Sequence, residues 1–114
     1  MEWLKITTAT ELTRVPTDDI MYVKSDGNYS DIFLSNGKSR KMTFQLHFFD
    51  EIFQKLKNNY FVRVGRQLIV NKNYIFVINP SNQMLILKGD HILRASQEAL
   101  KELKALIEKE GGKS

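Results

Sequence analysis

The chain contains no cysteine, which excludes disulfide frameworks, thiolate metal sites and cysteine nucleophiles. The absence also fits a reducing compartment. No run approaches the roughly 20 apolar residues of a membrane span. The start, Met1-Glu2-Trp3-Leu4-Lys5, lacks the basic lead and continuous apolar stretch of a signal peptide. The expected location is therefore the cytoplasm. No glycine-rich phosphate loop, nucleophile elbow or metal-ligand spacing is present. The two histidines, His47 and His91, lie far apart with no positioned acid partner, and the acid pairs Asp18-Asp19 and Asp50-Glu51 are adjacent residues that diverge. No catalytic site, cofactor or metal is expected. The final absence is local. Between Glu51 and Asp90 there is no acid, and the only charges are Lys55, Lys57, Arg63, Arg66, Lys72 and Lys88.

What is present is an ordinary globular composition. Hydrophobic residues make up 42% and charged residues 26% of 114 positions, enough for one domain over residues 1–114 with a real core. There is no internal repeat, linker or low-complexity segment. A net charge of +4 leans toward a polyanionic partner.

Periodicity predicts a mostly β fold with two short α-helices. Strands are expected at Trp3–Thr8, Ile20–Val23, Tyr29–Leu34, Ser39–Phe44, Tyr60–Val64, Leu68–Val70, Tyr74–Ile78, Met84–Leu87 and Ile92–Arg94. Pro16-Thr17-Asp18-Asp19 reads as a turn or short-helix entry, and Ser25-Asp26-Gly27-Asn28 as a break. Asn36-Gly37 predicts a tight hairpin with two positive-φ residues. Leu46, Phe49, Ile52, Phe53 and Leu56 share one helical face, and Asn58-Asn59 closes that helix. A second helix is expected from an N-cap at Ser96, carrying Leu100, Leu103, Leu106 and Ile107, with Gly111-Gly112 as its stop. The aromatic group Phe44, Phe48, Phe49, Phe53, Tyr60 and Phe61 reads as core where helix meets sheet rather than as a base-stacking platform. Tyr29, beside a polar loop, is open to either role.

The cations divide. Arg14, Lys24, Lys101, Lys104, Lys109 and Lys113 lie near acids, as on a solvated face. Arg63 and Arg66 do not, and Arg66 follows Gly65, where a strand can bend and re-aim the next side chain. Arginine bonds guanine bidentately, while Gln67, Asn71 and Asn73 carry the amides that bond adenine edges or phosphates. Singly, each could be an edge-strand charge that deters aggregation. Together, with no acid nearby, they point to nucleic acid. Lys38, Arg40 and Lys41 form a second basic run, either a phosphate contact or a solvated hairpin end.

Asp19-Ile20-Met21-Tyr22-Val23, Ser25, Gly27-Asn28-Tyr29, the run Phe61-Val62-Arg63-Val64-Gly65-Arg66-Gln67-Leu68-Ile69-Val70-Asn71, and Ile75 together resemble the LytTR-type DNA-binding domain of bacterial transcription regulators. The likeness covers roughly Ile6 to Leu106 in order and spacing. It implies elongated antiparallel β-sheets and loops entering successive major grooves of promoter DNA, with no recognition helix. Carried over, Arg66 becomes the central base reader, with Arg63, Gln67, Asn71 and Lys72 as phosphate or positioning contacts. Asn28, Tyr29 and Ser30 form a second insertion, and Arg94, Ser96 and Gln97 a third, where a helix N-terminus could also face a phosphate. Two departures stand out. The family's His-Arg-Ser reads Gly65-Arg66-Gln67, and its Ser-Arg reads Ser96-Gln97, a change that would shift preference toward adenine or weaken it. The resemblance further implies two copies on direct repeats, as a homodimer on DNA, and a two-component partner encoded outside this chain. Such domains usually follow a receiver or a membrane segment, and neither is legible in these residues. Two rival readings are a protein-interaction module of the same fold and an RNA binder, the latter lacking an exposed aromatic sheet motif.

Overall fold

Ile20-Met21-Tyr22-Val23 is an unbroken apolar run, and a strand of that kind must be covered on both faces. A computed structural model describes residues 2–111 and shows how this is done. The strands are β1 (Trp3–Thr7), β2 (Leu12–Pro16), β3 (Ile20–Asp26), β4 (Tyr29–Leu34), β5 (Ser39–Met42), β6 (Phe61–Val64), β7 (Leu68–Asn71), β8 (Ile75–Asn79), β9 (Met84–Leu87) and β10 (His91–Arg94). Two α-helices, α1 (Leu46–Gln54) and α2 (Gln97–Gly111), and 3-10 turns at Thr17–Asp19 and Lys72–Tyr74 complete the chain. All strand pairs are antiparallel and form a hairpin β1-β2, a central sheet in the order β5-β4-β3-β7-β6, and a third sheet β10-β9-β8. The molecule is elongated, 45 × 29 × 24 Å.

The central sheet separates two cores. On one face Ile20, Val23, Ile32 and Ile69 meet Leu4 and Ile6 of β1 and Leu46, Phe49 and Phe53 of α1. On the other, Met21, Tyr22, Leu68 and Val70 meet Leu85, Leu87 and Leu93 of the third sheet and Leu100 and Leu103 of α2. A bulge in β3 between Ile20 and Tyr22 explains why Met21 and Tyr22, neighbours in sequence, both enter the second core. Burial pushes the Tyr22 hydroxyl pKa up, with the Asp31 charge adding to the effect.

The aromatic group is core, as its spacing suggested. Phe49 and Phe53 are fully buried, and Phe53 stacks on Phe61 with centroids 3.9 Å apart. Tyr60 stays partly exposed.

Several boundaries differ from the sequence reading. β2 was not anticipated, because Leu12-Thr13-Arg14-Val15-Pro16 ends in proline and buries little; it survives by pairing with β1. β3 continues through Ser25 and Asp26, so the break is only Gly27-Asn28. β5 stops at Met42 and α1 at Gln54, short of Phe44 and Asn58. Gly37 is left-handed (φ 87°) but Asn36 is not. The amide of Gly37 donates to the Leu34 carbonyl, and Asn36 accepts from the Lys38 amide. This is a type I turn closed by a left-handed glycine, which also matches strand twist. Ser96 caps α2 as expected, its Oγ accepting from the Ala99 amide at 3.1 Å. Leu106 is only half-buried and stands apart from the second core. Gly111 is still helical, and Gly112 and Lys113 lie outside the described residues.

Candidate nucleic-acid interface

Antiparallel pairing of β3 with β7 sets Lys24 opposite Leu68, so the β3–β4 turn and the β6–β7 turn lie at the same end of the central sheet. The start of α2 joins them there. Between the β6–β7 turn and the β10–α2 junction lies a cleft of about 460 Å³, whose lining includes Arg66, Gln67, Arg94, Ser96, Glu98 and Glu102. The fold thus gathers segments that are 69 residues apart in sequence, from Asn28 to Gln97.

The turn that presents Arg66 is held from three sides. Gly65 is left-handed at φ 64°, and a Cβ there would sit 3.6 Å from the Ala99 Cβ of α2. Space would admit a side chain, but the backbone conformation disfavours one. Arg63 reaches back from β6, its Nη2 donating to the Arg66 carbonyl at 3.2 Å and its Nη1 lying 3.5 Å from Asp50 of α1. Ser25 ties in the neighbouring strand, with Oγ donating to the Gln67 Oε1 at 2.6 Å and its amide donating to the Gln67 carbonyl at 2.9 Å. The Arg66 side chain itself is exposed and enters no ion pair among the described residues.

The Ser25 bond constrains what Gln67 can do. The bond occupies one of the two lone pairs of Oε1 and fixes the amide, leaving its NH₂ group free to donate. Asn28 is exposed, and its Oδ1 accepts from the Gln45 Nε2 at 3.1 Å. Tyr29 is exposed beneath Lys41, whose Nζ is 5.7 Å from the ring centroid. Arg94 is exposed, donating through Nη1 to the Asn82 carbonyl at 3.0 Å. Gln97 stands exposed as the first residue of α2.

Three expected contacts lie elsewhere. Ser30 is fully buried and donates to the Phe44 carbonyl at 2.7 Å. Asn71 is 1% exposed, donating to the Ile20 carbonyl at 3.0 Å and accepting from the Asn73 amide at 2.9 Å. Both are interior struts, since a buried amide or hydroxyl is kept only when bonded. Lys72 leaves β7 at the end away from the Arg66 turn, and its ammonium lies 2.7 Å from Glu110 of α2. The acid-free segment of the sequence therefore acquires acids in space, Asp50 at Arg63 and Glu110 at Lys72.

The second basic run is also matched. Arg40 meets Glu11 at 3.0 Å, and Lys41 bridges Asp26 at 2.7 Å and Asp31 at 3.1 Å. The hydrogen bond from Lys41 lowers the Asp26 pKa, and bonds to Asp26 and Asp31 raise that of Lys41. Sequence reasoning missed Glu98 and Glu102. Their i, i+4 spacing on α2 puts both on the cleft, a signal that could have been read once Ser96 was taken as the cap.

A family model for the LytTr DNA-binding domain matches residues 10–108. The chain belongs to the LytTR family. A solved structure described as the LytTr DNA-binding domain of a response regulator from Bacillus cereus is 20% identical, covers 94% of this chain and 97% of its own, and superposes with a TM-score of 0.71. At that identity the likeness concerns the fold, and it is the mostly β, three-sheet architecture described above. A search of the curated proteins finds no match. The LytTR family is one of DNA-binding domains and not a catalytic one. Among the described residues no helix is long and apolar enough to cross a membrane.

Proposed function

We propose that this LytTR domain binds double-stranded promoter DNA with sequence preference, by placing the gathered end of its central sheet against the major groove. The supporting observation is Arg66, an exposed guanidinium with no ion pair among the described residues, on a turn braced by Arg63, Ser25 and Ala99. Such bracing limits the entropy lost when the side chain bonds a base. Asn28, the Gln67 NH₂, Arg94 and Gln97 supply further donors at that end. Lys24, exposed beside Leu68, adds a phosphate contact. Phosphate contacts set affinity and its salt dependence, and the few base contacts set choice. Two copies on direct repeats, in the manner of a transcription regulator acting on a promoter, complete this reading.

The test is an anisotropy titration against the duplex upstream of the chain's own gene and against random duplex, at two salt concentrations. Wild type should prefer its own site, and Arg66→Ala should lose about 10–100-fold there, equivalent to the 1–3 kcal/mol of one base contact. If Arg66→Ala and wild type bound both duplexes alike, the base-reading role would be wrong. One observation favours a second reading, a protein-interaction module: Glu98 and Glu102 put negative charge in the cleft beside Arg66. No duplex binding even at low salt would select it.

A further inference from the structure

We infer that Glu98 is a base-reading residue whose carboxylate accepts a hydrogen bond from the N4 amino group of a cytosine, a role that rests on the DNA-binding reading above and deepens it. Glu98 lines the same cleft as Arg66, Gln67 and Arg94. It is exposed, and among the described residues it enters no ion pair, although two arginines share its cleft. Nor is it spent on the helix cap. The residue placed to complete a capping box with Ser96 is Ala99, whose side chain carries no acceptor. The course of α2 then separates Glu98 from the second acid of the cleft. Its first turn lies beside the Arg66 turn, while its Glu110 meets Lys72 at the opposite end of β7. By helical rise Glu98 stands roughly 6 Å nearer the gathered end than Glu102.

The chemistry of a carboxylate selects the base. An ionised carboxylate only accepts hydrogen bonds. Phosphates offer it no donor and carry like charge, so an acid in the first turn of α2 opposes a phosphate at that helix end. In the major groove guanine presents N7 and O6, and thymine O4, all acceptors that repel a carboxylate. Adenine offers its N6 amino group with the N7 acceptor alongside. Cytosine alone presents a donor with no acceptor beside it. Arg66 makes the complementary choice, because a guanidinium only donates and meets guanine. The two walls of the cleft thus differ in hydrogen-bonding character, a donor on the β6–β7 turn and an acceptor on α2. A duplex that presents guanine to the first and cytosine to the second satisfies both. One that lacks the cytosine leaves a carboxylate desolvated without a partner. The negative charge beside Arg66 then acts as a filter among duplexes rather than as an obstacle to DNA.

In vitro selection from a randomised duplex library tests this, run with wild type, Arg66→Ala, Glu98→Gln and Glu102→Gln. Wild type should select a site with a specified guanine and a specified cytosine. Arg66→Ala, which reports on the underlying reading, should lose the guanine. Glu98→Gln should keep the guanine and lose the cytosine, since an amide both donates and accepts. Glu102→Gln should keep both, and circular dichroism should be unchanged in every variant. Anisotropy on the selected duplex gives the size of the effect. Exchanging that cytosine for thymine, with its partner base, should weaken wild type roughly 10–100-fold and Glu98→Gln less than about threefold. Selection of the wild-type site by Glu98→Gln would overturn the inference and leave the DNA-binding reading standing. So would an equal relaxation in Glu98→Gln and Glu102→Gln, the mark of a general charge effect. No selected site for wild type would overturn both.

Discussion

Two basic stretches look alike in the sequence and differ in the folded chain. Arg40 and Lys41 lie on the edge strand β5, where Glu11, Asp26 and Asp31 meet both, and Lys38 stands in the turn before it. Arg63, Arg66 and Lys72 also lose two of three, to Asp50 and Glu110. The contrast lies in the turns. Lys38 and Arg66 each follow a left-handed glycine, but a Cβ on Gly37 would meet nothing within 4 Å, whereas Gly65 lies against Ala99 of α2 and leaves Arg66 on a braced projection. A count of basic residues would not have separated them. The distinction comes from which turn is packed against the rest of the fold: that of Arg66 touches α2 and is tied by Arg63 and Ser25.

The largest expected effect would sharpen this division within the second stretch. Asn71→Ala should cost about 2–3 kcal/mol of folding stability, since it strands the Ile20 carbonyl and the Asn73 amide in the interior. Denaturant unfolding measures it. An unchanged midpoint with weakened DNA binding would move Asn71 back to the interface. Next comes Arg66→Ala, already described, whose folding midpoint should stay within about 0.5 kcal/mol of wild type. Ser25→Ala should follow, lowering specific duplex affinity by up to about 1 kcal/mol through the freed Gln67 while leaving binding to random duplex unchanged. Equal losses on both duplexes would make Ser25 a mere fold contact.

The smallest effect concerns β5. Lys41→Met should leave duplex affinity and its salt slope unchanged, and a slope reduced by about 0.9 would instead make Lys41 a phosphate contact. Its signature is in the pH profile. Asp26 has a lowered pKa, so its contribution to stability is present above the ordinary carboxylate range and lost as pH falls through the folded value. Lys41 has a raised pKa, so its contribution is present below the ordinary lysine range and lost as pH rises through the folded value. Melting temperature against pH should therefore fall less steeply at both extremes in Lys41→Met than in wild type.

Most strands were legible because half-buried faces impose alternation and turn residues punctuate them; β4 and β9 coincide with their predicted spans. β2 was illegible because its place depends on β1, not on its own pattern. The site was read less well than the fold. Of the residues expected at the site, Arg66, Gln67, Arg94 and Ser96 line one cleft. Ser30 and Asn71 look like surface polar residues until their partners, the Phe44 and Ile20 carbonyls, are known. Those partners are distant in sequence, and local composition carries no trace of them. For the same reason Glu110 and Asp50 were invisible as neutralising charges.

The two cores on either side of the central sheet set an order of assembly during synthesis. Every buried residue of the first core has been made once Ile69 leaves the ribosome, whereas the second waits for Leu103. In the interval Met21, Tyr22 and Val70 form the uncovered back of a sheet whose front is already packed. Nascent chains are therefore most vulnerable to aggregation through that one face, until the third sheet and α2 arrive to close it.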